Sequence, residues 1–383
     1  MMWATYRATM RSMLADRAAL TMLIGSVLIY SFLYPAFYAH QVAERIPLIV
    51  VDQDASPASR ALIMKVAALR EAEIVDTAPS LHAAETFLQR GDAFGVLLIP
   101  ARFERETLEG KPGQVLIYGN GAYLYRANAL LSGLGAALNA FAGDAIAQQA
   151  QFSGVPAPPV VSLISRPLFN TREGYGSSVV PGVAEIIIQQ TMLMGIVLLA
   201  ATRRERVGRL RASTMSVLGI AAAFMTIGLA NLLYFAGFVF WFQDYPRGGN
   251  LPGLLAGGVA FIAATVALAL WLGSYFRTRE RALQLIIGTS LPLYFMSGLS
   301  WPLHMSPSVL VWLAKLVPTT AGINLMVKVN QMGAHLDEVV PELVNLLLLA
   351  VVYGALALWR YRPTSSEPLV SVARPAPPVG DGE

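Results

Sequence analysis

Long stretches of the chain carry no charged side chain. Between successive Asp, Glu, Lys and Arg residues, strongly apolar runs occupy 18–43, 186–202, 212–243, 248–276, 282–314 and 343–359, with lengths of 26, 17, 32, 29, 33 and 17 residues. A helix needs about 20 apolar residues to cross a bilayer core of roughly 30 Å. Six such runs predict six membrane-spanning helices. The second is expected to extend outward through Glu185 to about Val179. In the fifth run and its sequel, Pro292, Pro302, Pro307 and Pro318 forbid one continuous helix, so the run reads as a helix through about Ser300 plus a hairpin that dips back into the membrane. Two further charge-free runs, 127–143 and 145–165, are rich in small and polar residues and are set apart from the spans.

Between the first two spans the pattern changes to short apolar segments separated by turn residues. Strands are predicted at Ile46–Val51, Glu73–Thr77, Phe94–Ile99 and Val115–Tyr118, with a last one at Val160–Leu168. Helices are predicted from Ser56-Pro57 to about Glu71, from Ser80 to Arg90, from Arg102 to Glu109 and from about Tyr123 to Phe152. Serine before proline is an N-cap followed by a favoured first helical residue. Alternating strands and helices give a small α/β domain. Residues 39–178 carry 11 Lys+Arg and 13 Asp+Glu, so this part is water-soluble, and 140 residues suffice for its own core.

Composition agrees with this division. Of 383 residues 55% are hydrophobic and only 14% charged, against about 25% charged in soluble proteins, which excludes a soluble enzyme. Basic residues cluster in four segments: Arg7, Arg11 and Arg17; Arg203, Arg204, Arg206, Arg209 and Arg211; Arg277, Arg279 and Arg281; and Arg360, Arg362 and Arg374. Threading six helices in order puts all four on one side, which the positive-inside rule makes cytoplasmic, with the α/β domain outside. The pI of 9.3 therefore reports topology and gives no sign of nucleic-acid binding. With no cysteine, disulfides, thiolate metal sites and a catalytic thiol are excluded, and the four histidines lack metal-ligand spacing.

The first run ends in Tyr34, Pro35, Phe37 and Tyr38, an aromatic belt that marks an uncleaved anchor rather than a signal peptide. Before it, Trp3, Tyr6, Met10, Met13 and Leu14 recur at helical spacing with Arg7 and Arg11 on another face. This fits an interfacial helix, a disordered start being the alternative. The Pro-rich end of the chain beyond 361 reads as disordered.

No nucleotide-binding loop, nucleophile elbow or zinc-protease motif is present. The chemistry that remains lies in the spans. Glu185 and Gln189 are four residues apart, hence on one helix face. Either they line a path through the membrane, because intramembrane ionisable groups face cavities, or the helix starts later and Glu185 snorkels. Asn231, midway along the third span, is read the same way or as interhelical glue. Gly253 and Gly257 form a G-x-x-x-G that could mark a dimer face. Five arginines between 203 and 211 exceed what orientation requires, and the surplus suits docking of a soluble cytoplasmic partner.

Ser297-Gly-Leu-Ser-Trp-Pro302-Leu-His-Met-Ser-Pro307 and the following Lys315-Leu-Val-Pro318-Thr-Thr320 resemble the segment before the last span of ABC type-2 exporter permeases. Ile49-Val-Val-Asp-Gln-Asp54, Arg90-Gly-Asp-Ala-Phe-Gly-Val-Leu-Leu-Ile-Pro100 and Val180-Pro181-Gly182 resemble the subgroup with a large external domain after the first helix. The resemblance covers nearly the whole chain. One departure is that the Glu-rich, Gly-Thr pattern expected after the second helix appears only as Glu205-Arg-Val-Gly208.

The resemblance implies an α-helical polytopic membrane protein with six transmembrane helices, a re-entrant hairpin after the fifth, and an inserted α/β extracytoplasmic domain. The expected division is an interfacial helix at 1–18, a first span at 19–39, a periplasmic domain at 40–178, spans two to six within 179–361, and a tail at 362–383. A coupling loop is expected at 203–214 and the hairpin at 302–335, with Gly298, Pro302, Pro307 and Pro318 shaping it. The implied function is the permease subunit of an ATP-driven exporter of small amphipathic, drug-like or lipid-like compounds. Its expected partners are a separate ABC ATPase contacting Arg203, Arg204, Glu205, Arg206 and Arg209, a second permease chain, membrane lipid, and a periplasmic adaptor with an outer-membrane channel. No cofactor is expected in the chain, since ATP and Mg belong to the ATPase. The other reading is a non-transporting scaffold whose external domain binds cell-envelope proteins.

Overall fold

Apolar runs in lipid must satisfy their backbone internally, which favours helices, and helices dominate the described residues. The computed structural model describes residues 1–39, 42–109, 114–153, 168–170, 174–208 and 210–362. It separates into two units, Met1–Gln41 with Pro167–Glu383, and Val42–Arg166. The expected strand at 160–168 falls almost entirely outside the described residues, and the tail beyond 362 does so completely.

Helix α1 (Met2–Ala15) is followed at once by α2 (Arg17–Ala36). Asp16 separates them by accepting the amides of Ala18 and Ala19 at 3.1 Å, an N-cap that starts the second helix. The chain thus begins with the expected short helix.

In the unit Val42–Arg166, β1 (Ile46–Asp52), β2 (Ala72–Thr77), β3 (Gly95–Ile99) and β4 (Leu116–Gly119) form one sheet of order β2-β1-β3-β4. β1 is parallel to β2 and β3, and β4 is antiparallel to β3. Parallel neighbours require crossovers, here α3 (Pro57–Ala67) and α4 (Leu81–Arg90); α5 (Phe103–Leu108) and α6 (Leu124–Ser153) complete the unit. Leu48, Val50, Leu97 and Ile99 pack with Leu62 and Val66 of α3 and Leu130 and Leu134 of α6. Ile49, Val51, Val96 and Leu98 face the other way, onto Ala84 of α4. Covering both faces explains why β1 and β3 read as continuous apolar runs instead of alternating. Ser56 and Ser59 make a capping box at α3, and Gly91 ends α4 at φ +80°. Asp54 is hydrogen-bonded by Ser56 and by the amides of Arg102 and Glu104 at 2.7 and 3.0 Å; these bonds hold its carboxyl below the usual carboxylate range.

The rest of the described chain is α7 (Tyr175–Val207), α8 (Thr214–Phe242), α9 (Leu251–Gly273), α10 (Arg279–Met296), α11 (Ser308–Lys315), α12 (Pro318–Gln331) and α13 (Leu336–Tyr361). Among the described residues, six helices are long and apolar enough to cross a membrane: α2, the stretch Tyr125–Ala147 of α6, α7, α8, α9 and α13. Five coincide with predicted spans. The sixth, α6, matches the helix expected over about 123–152 within the α/β unit, where Leu130, Leu134 and Ala137 bury its apolar stripe on the sheet. The predicted fifth span, α10, falls short of that apolarity because Arg279, Glu280 and Arg281 occupy its first turn. α7 and α9 are mostly buried within the helices, whereas α13 is mostly exposed.

Prolines and irregular turns inside these helices have partners. Pro181 has no N–H for the carbonyl of Ser177, and Gln331 Nε2 donates to that oxygen at 3.2 Å instead. Pro292 lies inside α10, which runs to Met296, close to the end expected near Ser300. The turn Val327–Gln331 of α12 is π-helical, and its end is clamped to the start of α9. There Gly249 and Asn250 donate backbone N–H bonds to Asn330 and Val329 at 3.0 and 2.8 Å, and Gly248 donates to Asn330 Oδ1 at 2.9 Å. Gly249 is required by proximity, because a Cβ there would lie 2.5 Å from Gly333 Cα.

Candidate functional site

Glu185 lies ten residues into α7, about 15 Å along the axis. The helix starts at Tyr175, so Glu185 lies well inside it and not in its first turn. Glu185 is 5% exposed and Gln189 is 0%. Glu185 Oε2 and both amide atoms of Gln189 are buried without a hydrogen-bond partner. Gln190, on a neighbouring face, donates to Ser290 of α10 at 3.1 Å.

Asn231 does not join this pair by a hydrogen bond. Its Nδ2 donates to Leu23 O at 2.9 Å, a carbonyl in the π-helical turn Thr21–Gly25 of α2. Such turns often leave carbonyls in need of a donor, so Asn231 fastens α8 to α2. The amide also lines a cavity of about 230 Å³ with Ile24, Val27, Leu28, Ile227, Ala230 and Tyr234. The glue reading is thus the one with a visible partner. Gly253 and Gly257 face Val329 and Leu325 of α12 in the same chain; the structure gives these glycines an intrachain role rather than a dimer face.

Of the predicted coupling loop, Arg203, Arg204, Glu205 and Arg206 belong to the last turn of α7, which ends at Val207 before Gly208 at φ +76°. Basic side chains at a helix C-terminus are favoured by its dipole, so helix and positive charge reinforce one another. Arg204 donates to the carbonyl of Ser274, just past α9. Glu205 Oε1 accepts the amide of Arg279, the first residue of α10, at 3.0 Å. The Arg279 guanidinium in turn bonds Asp16 at 3.3 Å. One cluster therefore ties together α2, α7, α9 and α10. Arg203 is half-buried and Arg206 exposed, and Arg209 lies outside the described residues. Sequence reading missed Asp16, Ser274 and Arg279 as parts of this cluster, because no local motif links positions so far apart.

Gly298 turns the chain after α10 at φ +84°. Pro302 precedes a short 3₁₀ turn, Pro307 precedes α11, and Pro318 is the first residue of α12. All four predicted hairpin residues sit at element ends, where a restricted or left-handed backbone is useful. α11 and α12 are bent by 81° at their break. The carbonyls freed there have partners on α13: Asn345 Nδ2 donates to Lys315 O at 3.2 Å and Tyr353 Oη to Leu316 O at 2.7 Å. Thr320 Oγ1 donates to Met296 O at 3.0 Å, joining the start of α12 to the end of α10.

Residues 17–359 match the family described as "ABC-2 family transporter protein". The chain belongs to the ABC-2 transporter family. The match begins at the first residue of α2 and ends within α13, so it takes in all of the unit Val42–Arg166 and most of the other. The chain is also similar to the inner membrane transport permease YhhJ of Escherichia coli K12, 25% identical over 372 residues that cover 93% of this chain and 95% of that protein. YhhJ of Shigella flexneri matches to the same extent. The described chain is therefore a mostly helical, multi-pass membrane subunit of a transporter with one small sheet.

Proposed function

We propose that the chain is the permease subunit of an ATP-driven exporter in the inner membrane of a bacterium, energised by a separate ABC ATPase. The observation that carries this reading is the family match across both units, joined to a buried, unpartnered Glu185–Gln189 face on the central helix. The named relatives are inner membrane transport permeases, which supports the location. Orientation rests on the four basic segments: both termini are cytoplasmic and the α/β unit faces the periplasm.

In this arrangement α11 and the start of α12 dip into the membrane from the outside as a re-entrant hairpin. Non-helical backbone at membrane depth is tolerated where protein covers it, and the bonds from Asn345 and Tyr353 provide such cover. The exposed stripe Val344, Leu347, Leu348, Val351 and Val352 of α13 meets lipid or a second permease chain. The ATPase docks under the ends of α7 and α10, and its motion enters through the Asp16–Arg279–Glu205 cluster. The cargo is a small amphipathic compound that passes the Glu185 face. The periplasmic α/β unit contacts an adaptor that leads to an outer-membrane channel.

Partner recruitment tests this reading. Tagged chain purified from native membranes is expected to bring down an ABC ATPase in near-equimolar amount, and purification without any ATPase under mild detergent would count against it.

A further inference from the structure

The register of three helices places further polar groups at the level of Glu185. Along α9 and α12, which run antiparallel, Gly253 is opposite Val329, Gly257 opposite Leu325, and Gly322 opposite Phe261. Continuing that register by one turn puts Thr319 opposite Thr265. Along α7 and α12, Ser177 meets Gln331 and Gly182 faces Ile323, so the next turn brings Glu185 level with Thr319. Gly182, Glu185 and Gln189 are spaced i, i+3 and i+7 and share the face turned to α12.

Glu185, Gln189, Thr265 and Thr319 are 5%, 0%, 0% and 1% exposed. Glu185 Oε2, both polar atoms of Gln189, and the hydroxyls of Thr265 and Thr319 all lack a hydrogen-bond partner. Buried polar groups are normally paired, and a layer with so many open positions is costly unless something else fills them. No lysine or arginine is buried among the described residues, so the Glu185 carboxylate has no counter-ion at this depth. Leu299 and Ile323 beside Gly182, and Phe261 beside Gly322, supply apolar walls one turn away.

We propose that this layer between α7, α9 and α12 binds a lipophilic organic cation, with Glu185 as its counter-ion and Gln189, Thr265 and Thr319 as its polar contacts. An inorganic cation would use the oxygens but leave the Gln189 N–H donors open. An organic cation carrying a hydrogen-bond acceptor satisfies both. The inference rests on the transport reading and names positively charged amphiphiles as the class of its cargo that Glu185 recognises.

The test is equilibrium binding of two fluorescent dyes to the full chain in nanodiscs with its ATPase: rhodamine 6G, a cation with an ester carbonyl, and Nile red, which is neutral. Glu185→Gln, which keeps size and hydrogen bonding, is expected to weaken rhodamine 6G about tenfold or more while leaving Nile red within about twofold. Glu185→Asp, which keeps the charge, should retain most of the rhodamine 6G affinity. Unchanged rhodamine 6G binding in Glu185→Gln, equal loss of both dyes, or displacement of rhodamine 6G by sodium chloride but not by potassium chloride at equal ionic strength would each overturn the proposal. ATP-dependent movement of Nile red by the wild-type complex reads out the transport function separately, so the cation site can fail while the exporter stands.

Discussion

Gly249→Val is expected to lower the apparent Tm of the purified chain by about 10 °C. A Cβ at this position would meet the Gly333 backbone at 2.5 Å, and backbone cannot swing aside as a side-chain tip can. Relief requires separating the start of α9 from the π-helical end of α12, which breaks bonds from Gly248, Gly249 and Asn250 to Asn330 and Val329. Overpacking costs about 1–3 kcal/mol and each lost hydrogen bond about 1 kcal/mol, and a shift of about 2–4 °C per kcal/mol gives that order of loss. Gly354→Val on α13 is the control, because nothing lies within 4 Å of a Cβ there, and its Tm should stay within about 1 °C of wild type. Thermal unfolding followed by tryptophan fluorescence measures both. Equal Tm values for the two variants would mean that the clamp contributes nothing to holding α12.

Arg279→Ala is expected to cut the ATPase activity stimulated by the permease about tenfold with little loss of stability. Its ion pair with Asp16 is 3.3 Å long between partly exposed groups, and such pairs contribute about 1 kcal/mol or less to folding. Its position carries more weight, since the first turn of α10 is held to α7 by Glu205 and to the α1–α2 junction by Asp16. Asp16→Asn should have a similar effect, and the double variant should add little to either, as expected for two members of one unit. Arg206, exposed at the same helix end, offers the contrast. If Arg206→Ala depresses stimulation while Arg279→Ala does not, the ATPase reads surface charge, and the internal cluster is only a staple.

Much of the fold was legible because lipid and sheet each impose a simple pattern. β1 was read as 46–51 and runs 46–52, and α6 was read as 123–152 and runs 124–153. Caps at Ser56 and Ser80 marked helix starts through local chemistry alone. Boundaries failed where tertiary contacts override local signals. Arg203, Arg204 and Arg206, read as part of a loop, lie in the last turn of α7. Glu185 and Gln189 were found because a charge within a long apolar run stands out. Thr265 and Thr319 were not, because threonine is common in membrane helices and only the register of α9 against α12 brings them level with Glu185.

ATP-dependent uptake into inside-out membrane vesicles tests the central claim most directly. Vesicles containing this chain and its ABC ATPase are expected to accumulate rhodamine 6G when ATP is added, and to lose that uptake when either the chain or the ATPase is omitted. Uptake that persists without the chain, or the absence of ATP-dependent uptake of both rhodamine 6G and Nile red when both proteins and ATP are present, would contradict the assignment of this chain as the membrane path of an ATP-driven exporter.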